Sequence, residues 1–282
     1  MLLYNSKKGG IVLAFGVTFK RFEKKFLLNP YQYERLKTEI DKHFNPDKYG
    51  ETKICNIYFD TPDYLLIRRS IDKPIFKEKV RLRTYGVPND QTVAFFEVKR
   101  KYKKVVYKRR IHMPYIDSME FATNPTKHFK DTQIFKEIKY LLDFYKGIEP
   151  KFYISYDRCA FFYKESSEIR VTFDKNLTWR AHDLDLRLGS YGEQLLPDGY
   201  TIMEIKVPNT VPLWLAKLLS ELKVYPCSFS KVGTAYKTYI AKKIGASAIS
   251  TGNLNWIMEG RMSDDGFTET NFACEYLKGV DI

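Results

Sequence analysis

The sequence predicts an α+β fold: an antiparallel β-barrel tunnel with a charged lumen and helices packed on the outside. Two observations carry this expectation. Seven short segments alternate charged and apolar side chains with the period of two that a β-strand imposes. Between them lie three segments with one apolar stripe at helical spacing. A faint internal duplication adds a third: "IYFD", "VRLR" and "FFEVK" are echoed in order by "ISYD", "EIRV" and "IMEIK", as two half-barrels would be.

The elements follow in chain order. "KKGGIVLAFGVTFKRF" sets basic residues before an apolar run, as a signal peptide does. No small-x-small cleavage site follows, and the run passes directly into Lys20 and Arg21. A leading strand or an upstream extension is therefore expected, with residues 1–18 set apart as an N-terminal extension. The first strand, "FKRFEKKF", places Arg21, Glu23 and Lys25 opposite Phe22 and Phe26. "NPYQYERLKTEIDKHF" then reads as a helix with Asn29 as N-cap, Pro30 at its first position, and Tyr33, Leu36, Ile40 and Phe44 on one stripe. "KVRLRTYG" sets Lys79, Arg81 and Arg83 against Val80 and Leu82, and "FFEVKRK" sets Glu97, Lys99 and Lys101 against Phe96 and Val98. In "VYKRRIH", Lys108 and Arg110 share a face. A second helix, "TQIFKEIKYLLDFYKG", aligns Ile134, Ile138, Leu141, Leu142 and Tyr145 and stops at Gly147. Tyr156 and Arg158 share a face in "FYISYDR". "EIRVTFD" opposes Glu168, Arg170, Thr172 and Asp174 to Ile169, Val171 and Phe173, and "IMEIKV" opposes Glu204 and Lys206 to Met203, Ile205 and Val207. The third helix, "VPLWLAKLLSELKVYP", starts at Pro212, turns Leu215, Leu218, Leu219 and Leu222 inward, and ends before Pro226.

The apolar faces are needed to receive the helices, so the charged faces turn away from them. An open sheet would leave those faces in solvent. A sheet closed into a barrel with the charge inside accounts for the crowding of arginine among carboxylates and removes the edge strands. Short strands interleaved with helices argue against a membrane barrel.

Lys plus Arg number 47 against 34 Asp plus Glu, a net charge of +13, which favours an anionic partner. Cys55, Cys159, Cys227 and Cys274 are scattered and form no C-x-x-C pair, the pattern of reduced thiols in a cytoplasmic protein. No stretch reaches the ~20 apolar residues of a membrane span. Nucleotide-loop and zincin motifs are absent, and His43, His112, His128 and His182 lack metal-ligand spacing. A lumen lined by Arg81, Arg83, Lys99, Lys108, Arg158, Arg170 and Lys206 needs anions to neutralise it, and the few carboxylates leave that role to a ligand. Arginine's planar fork suits phosphate oxygens, and a linear phosphate chain suits an elongated cationic lumen. Glu204, with Glu97 and Glu23 as further candidates, would hold a hard divalent cation bridging phosphate oxygens. Nucleic acid is not expected, because the aromatics mostly alternate onto the apolar face.

The set "FKRFEKKF", "IYFDTPDY", "KVRLRTYG", "FFEVKRK", "SYDRCAF", "IRVTFD", "IMEIKVP" and "SFSKVGTAY" resembles the VTC domain of polyphosphate polymerases, within the triphosphate tunnel (CYTH-like) superfamily. The resemblance runs from Phe19 to Tyr239 and implies a tunnel domain over residues 19–244. It implies an enzyme that transfers the terminal phosphate of ATP onto a growing polyphosphate chain, with Mn²⁺ (or Mg²⁺) as cofactor and ATP, polyphosphate and pyrophosphate as partners. The implied phosphate ligands are Lys25, Arg81, Arg83, Lys99, Lys108, Arg158, Arg170 and Lys231, with Tyr156 and Ser230 as hydrogen-bond donors. Glu204 is the implied metal ligand and Lys206 a lumen neighbour. The superfamily opens with E-x-E-x-K, whereas "RFEKK" supplies Arg21, Glu23 and Lys25, which lowers the metal-binding capacity. Two alternatives stand beside this reading: a metal-dependent triphosphatase on the same fold, and a non-catalytic module that binds polyphosphate or another polyanion. Residues 245–282 form a tail of unassigned role, with six acidic residues from Glu259 onward against Arg261 and Lys278. A solvated tail and a segment folded against the basic barrel are both open to it.

Overall fold

Nine strands and six helices are described in the computed structural model, which covers residues 22–243 except positions 73, 104, 128 and 129. The strands are β1 (Phe22–Leu28), β2 (Phe44–Asp60), β3 (Phe76–Tyr85), β4 (Val93–Tyr102), β5 (Val105–Pro114), β6 (Glu149–Tyr163), β7 (Ser166–Arg180), β8 (Glu193–Gln194) and β9 (Thr201–Val207). The helices are α1 (Pro30–His43), α2 (Leu65–Asp72), α3 (Tyr115–Thr123), α4 (Gln133–Phe144), α5 (Leu213–Glu221) and α6 (Lys231–Lys243). The expectations for residues 1–18 and for the tail lie outside the described residues.

All strands belong to one antiparallel sheet in the order β1-β9-β7-β6-β2-β3-β4-β5, with β8 paired to β7. The sequence echo maps onto this order. β2-β3-β4 and β6-β7-β9 are the two echoed triplets, and they meet at the β2·β6 pair in the middle.

Alternation sorts the side chains as the pattern demands. On the convex side, Val80, Leu82, Phe96, Val98 and Ile111 pack with Phe121 of α3 and with Phe135, Ile138 and Leu141 of α4. Phe26, Leu28, Val171, Phe173, Met203 and Ile205 pack with Leu36 and Ile40 of α1 and Leu215 of α5. Helix α1 starts where the sequence says: Asn29 Oδ1 accepts from the Gln32 amide at 2.9 Å, and Gln32 Oε1 accepts from the Asn29 amide at 3.0 Å, a complete capping box behind Pro30. In α4 the buried stripe is Phe135, Ile138, Leu141 and Leu142, and Ile134 is exposed. Ile138, Leu141, Leu142 and Tyr145 of the expected stripe are buried, and only its first position differs, Phe135 taking the place of Ile134 where Thr132 Oγ1 caps the Phe135 amide.

A third core was not foreseen. α2 and α6 lie on the concave side, where Ile67, Val232, Ala235 and Tyr236 pack against Ile54, Tyr58, Phe152, Ile154, Trp179 and Ile202. The concave face is thus part apolar floor and part charged wall, instead of charged throughout. Asp60 of "IYFDTPDY" holds α2 in place: its buried carboxylate accepts from the amides of Thr61, Leu66 and Ile67 at 2.7–2.8 Å.

Among the described residues the sheet is not closed by strand pairing, which corrects the expectation of a hydrogen-bonded barrel. β1 and β5 are its two ends. The outer edge of β1 is occupied at Lys25, whose carbonyl accepts from the Cys227 amide at 2.7 Å, so that edge is engaged by the segment leading into α6. The sheet curls nonetheless until its ends meet through long side chains. Lys99 of β4 reaches Glu23 of β1 at 4.0 Å, and Lys79 of β3 donates to Ser230 before α6 at 2.8 Å.

Candidate functional site

The charged wall is built by period-two geometry. Cross-strand partners lie on one face, so Arg81 opposite Glu97, Glu97 opposite Arg110, and Lys79, Lys99 and Lys108 in the adjoining row all project to the concave side. On the other half, Lys25, Glu204 and Thr172 share a row, as do Glu23, Lys206 and Arg170. The structure thereby brings Lys25, Arg81, Arg83, Lys99, Lys108, Arg158, Arg170, Lys206, Lys231, Tyr156, Ser230, Glu204, Glu97 and Glu23 to one side of the sheet.

Within it, carboxylates hold more of the cations than their number suggested. Glu97 is buried, and its two oxygens take Arg81 at 2.6 Å, Lys108 at 2.6 Å and Arg110. Burial alone would raise its pKa; Arg81, Arg83 and Lys108 outweigh that and hold the carboxyl well below the usual range. Asp174 is a second such centre, accepting from Arg158 Nε and Nη2 at 2.6 and 2.7 Å and from Lys231 at 2.6 Å. Burial opposes its ionisation as well, and Lys231 and Arg158 override it. Glu204 pairs with Lys206 at 2.6 Å and approaches Lys25 at 4.0 Å, while Glu23 lies 3.7 Å from the same Lys25. Despite its burial, Glu204 is lowered to about 2 by Lys206 and Lys25.

Cations still outnumber carboxylates, and Arg83 and Lys79 have none within 4.0 Å among the described residues. Arg83 is buried and donates to Asn56 Oδ1 at 3.0 Å and to the Tyr156 hydroxyl at 3.1 Å. Lys79 donates to Ser230 Oγ. Burial, then the neighbouring charges of Lys25 and Lys99, push the Lys79 ammonium down to about 7. Tyr156 moves the same way for the opposite reason: burial would raise its phenol, but Arg83 and Arg158 bring it to about 8. Arg170 Nε and Thr172 Oγ1 are buried on this face without a hydrogen-bond partner among the described residues. Uncompensated cations beside orphaned donors are what an anion with several oxygens would complete.

The N-terminus of α6 faces the same space. Ser230 Oγ accepts from the Gly233 amide at 3.1 Å and from Lys79, which leaves its own proton to donate. The first amides of α6 and its dipole therefore add to the positive potential. Gly233 sits tight against this cap, since a Cβ there would meet Ser230 Oγ at 3.1 Å and Ser230 Cβ at 3.2 Å.

No group of three His, Cys, Asp or Glu side chains suited to a metal occurs among the described residues. Glu97 has both oxygens taken by cations. Glu204 and Glu23, flanking Lys25, are left as oxygen donors. That set fits a hard cation held by one or two carboxylates together with phosphate oxygens, and does not fit an all-protein cage.

Sequence reasoning passed over Lys79, Arg110, Asp174, Asn56 and Tyr58 as site residues. For Lys79, Arg110 and Asp174 the signal was present, since each alternates in phase with named neighbours. For Asn56 and Tyr58 there was none, because β2 reads as a nearly continuous buried run over Cys55–Asp60.

Comparison with known proteins adds the following. The model of the VTC domain family matches residues 20–240. The vacuolar transporter chaperone complex subunit 4 of Schizosaccharomyces pombe is 23% identical over 254 residues, covering 72% of this chain and 35% of its own length. The chain thus spans about a third of that relative. Among solved structures, a Bacillus halodurans protein provisionally assigned as an adenylate cyclase aligns with a TM-score of 0.47 at 12% identity, over 74% of this chain and 92% of that one. A Hippeastrum protein, provisionally assigned as an adenylyl cyclase and described as having a dominant triphosphatase activity, aligns at 0.45 and 14% identity with the same coverage.

Proposed function

The chain belongs to the VTC domain family, and we propose that it is an ATP-dependent polyphosphate polymerase, with residues 19–244 as the tunnel domain. The carrying observation is the concave wall, where, among the described residues, Arg83 and Lys79 lack carboxylate partners and Arg170 Nε and Thr172 Oγ1 lack any. A row of phosphate oxygens supplies what each of these groups is missing. A cytoplasmic location accords with the free thiols Cys55 and Cys159.

In this reading Arg81, Arg83, Arg158 and Arg170 grip the phosphates and Lys25, Lys79, Lys99 and Lys231 balance their charge. The reaction joins a terminal oxygen of the growing chain to the γ-phosphorus of ATP and breaks the bond to ADP, which departs with the bonding pair. Such a transfer needs alignment and charge stabilisation, and no covalent nucleophile. Lys79, near its pKa at neutral pH, takes up and holds a proton as phosphate arrives. Glu97 and Asp174 keep Arg81 and Arg158 extended over the wall, so little side-chain freedom is lost on binding. Mn²⁺ or Mg²⁺ on Glu204, with Glu23 alongside, would withdraw charge from phosphate oxygens.

The test is incubation with ATP and Mn²⁺ followed by a gel stained for polyphosphate. A ladder of long chains is expected. Orthophosphate release with no chain would replace the reading by a triphosphatase, and binding without turnover by a non-catalytic module.

A further inference from the structure

We propose that the tip of the β4–β5 hairpin is a docking surface for an anionic lipid bilayer. Eight of the twelve residues from Lys99 to Arg110 are Lys or Arg, with no carboxylate among them. Toward the sheet these cations are neutralised: Arg100 by Glu78, Arg109 by Glu137, and Lys108 by Glu97. At the tip, Lys101 and Lys103 have no carboxylate within 4.0 Å among the described residues. Here the charge is free to meet a partner.

The same tip is apolar on both faces. Phe76, Tyr102 and Val105 form one cross-strand row on the convex side, Tyr107 follows two residues on, and Val106 lies opposite Lys101 on the concave side. All five are 43% to 50% exposed. Exposed valines at the apex of a hairpin, flanked by tyrosines and ringed by lysines, match the depth profile of a bilayer interface, with hydrocarbon, amphipathic ring and headgroup phosphate in that order.

The turn supplies an independent observation. Tyr102 pairs directly with Val105 across the hairpin turn, and Lys103 in that turn has φ +43°. Such turns favour Asn-Gly because both central residues adopt positive φ. A lysine held there is strained, and its place is explained by what it touches beyond the chain. A second copy of this chain is disfavoured as occupant by like charge, which also guards the edge of β5 that no described strand pairs. Nucleic acid would use the rings but gain nothing from the two apical valines.

Vesicle co-sedimentation tests this, using the full chain with saturating tripolyphosphate so that the concave wall is occupied. Phosphatidylcholine vesicles containing phosphatidylserine should pellet the protein, and phosphatidylcholine alone should not. Lys103→Asn, which suits the turn, should leave the melting temperature unchanged or higher and weaken vesicle binding about fivefold, the effect of one lysine near an anionic surface. Val105→Ser combined with Val106→Ser should weaken it roughly tenfold. Equal pelleting by neutral vesicles, release by tripolyphosphate, or parent-like binding by both variants would overturn the proposal. So would a single-stranded RNA whose binding both variants lose while neither form of the protein pellets with vesicles.

Discussion

Replacing Lys79 by methionine removes one charge from the concave wall at nearly constant side-chain length. Lys79 is pushed down to about 7, first by burial and then by Lys25 and Lys99. In the unfolded chain it titrates near 10.4. Between those values the unfolded state binds more protons, so stability rises with pH, by up to ~1.4 kcal/mol per pH unit for one proton. Below pH 7 both states are protonated and the repulsion is fully present; above about 10 both are neutral and it is gone. From pH 7 to 8 the gain integrates to about 1 kcal/mol, or roughly 2–4 °C in melting temperature for a fold of this size. Tyr156 contributes with the same sign and mostly above about 8, so Lys79 dominates the window from 7 to 8. Tripolyphosphate should reverse the shift, because an anion beside the ammonium favours its charged form. Binding at pH 8 should therefore take up close to one proton, read as the dependence of calorimetric enthalpy on buffer ionisation enthalpy. Lys79→Met should abolish the uptake, flatten the pH dependence from 7 to 8, and weaken binding by about 1.5–3 kcal/mol. Parent-like proton uptake in the variant would refute the assignment of the uncompensated charge to Lys79.

Glu204→Gln should keep the fold and lose metal-dependent turnover, since it preserves shape and removes the charge facing Lys206 and Lys25; unchanged turnover and Mn²⁺ affinity would take Glu204 out of the site. Arg83→Ala should weaken tripolyphosphate binding by about 1.5–3 kcal/mol, and it should raise the Tyr156 phenol in a spectrophotometric titration, because Arg83 is the largest charge lowering it. Tripolyphosphate at a hundredfold excess over its dissociation constant should stabilise the protein by ~2.7 kcal/mol. Orthophosphate at equal phosphate should do far less, and a DNA duplex at matched ionic strength should not match the chain; a duplex that stabilises equally well would point to a flat basic surface.

What the sequence alone determined about this protein is what strand and helix periods decide locally. In Lys79–Arg83 the pleat sends Lys79, Arg81 and Arg83 one way and Val80 and Leu82 the other, whatever the rest of the chain does. Asn29 and Pro30 likewise specify the start of α1 within four residues. Tertiary structure decided everything that depends on distant segments meeting. The stretch that forms α6 carries Gly233, two threonines and a weak apolar stripe, and it is helical because Val232, Ala235 and Tyr236 are buried against the concave face. The pairing of Glu97 with Lys108 and Arg110, and of Asp174 with Lys231 57 residues away, follows from strand register and from where α6 begins. Closure was decided there too. A period of two says which face a side chain takes, but not whether β5 reaches β1. That edge went to Cys227, and the ends of the sheet meet through Lys99 and Glu23 instead of through backbone hydrogen bonds.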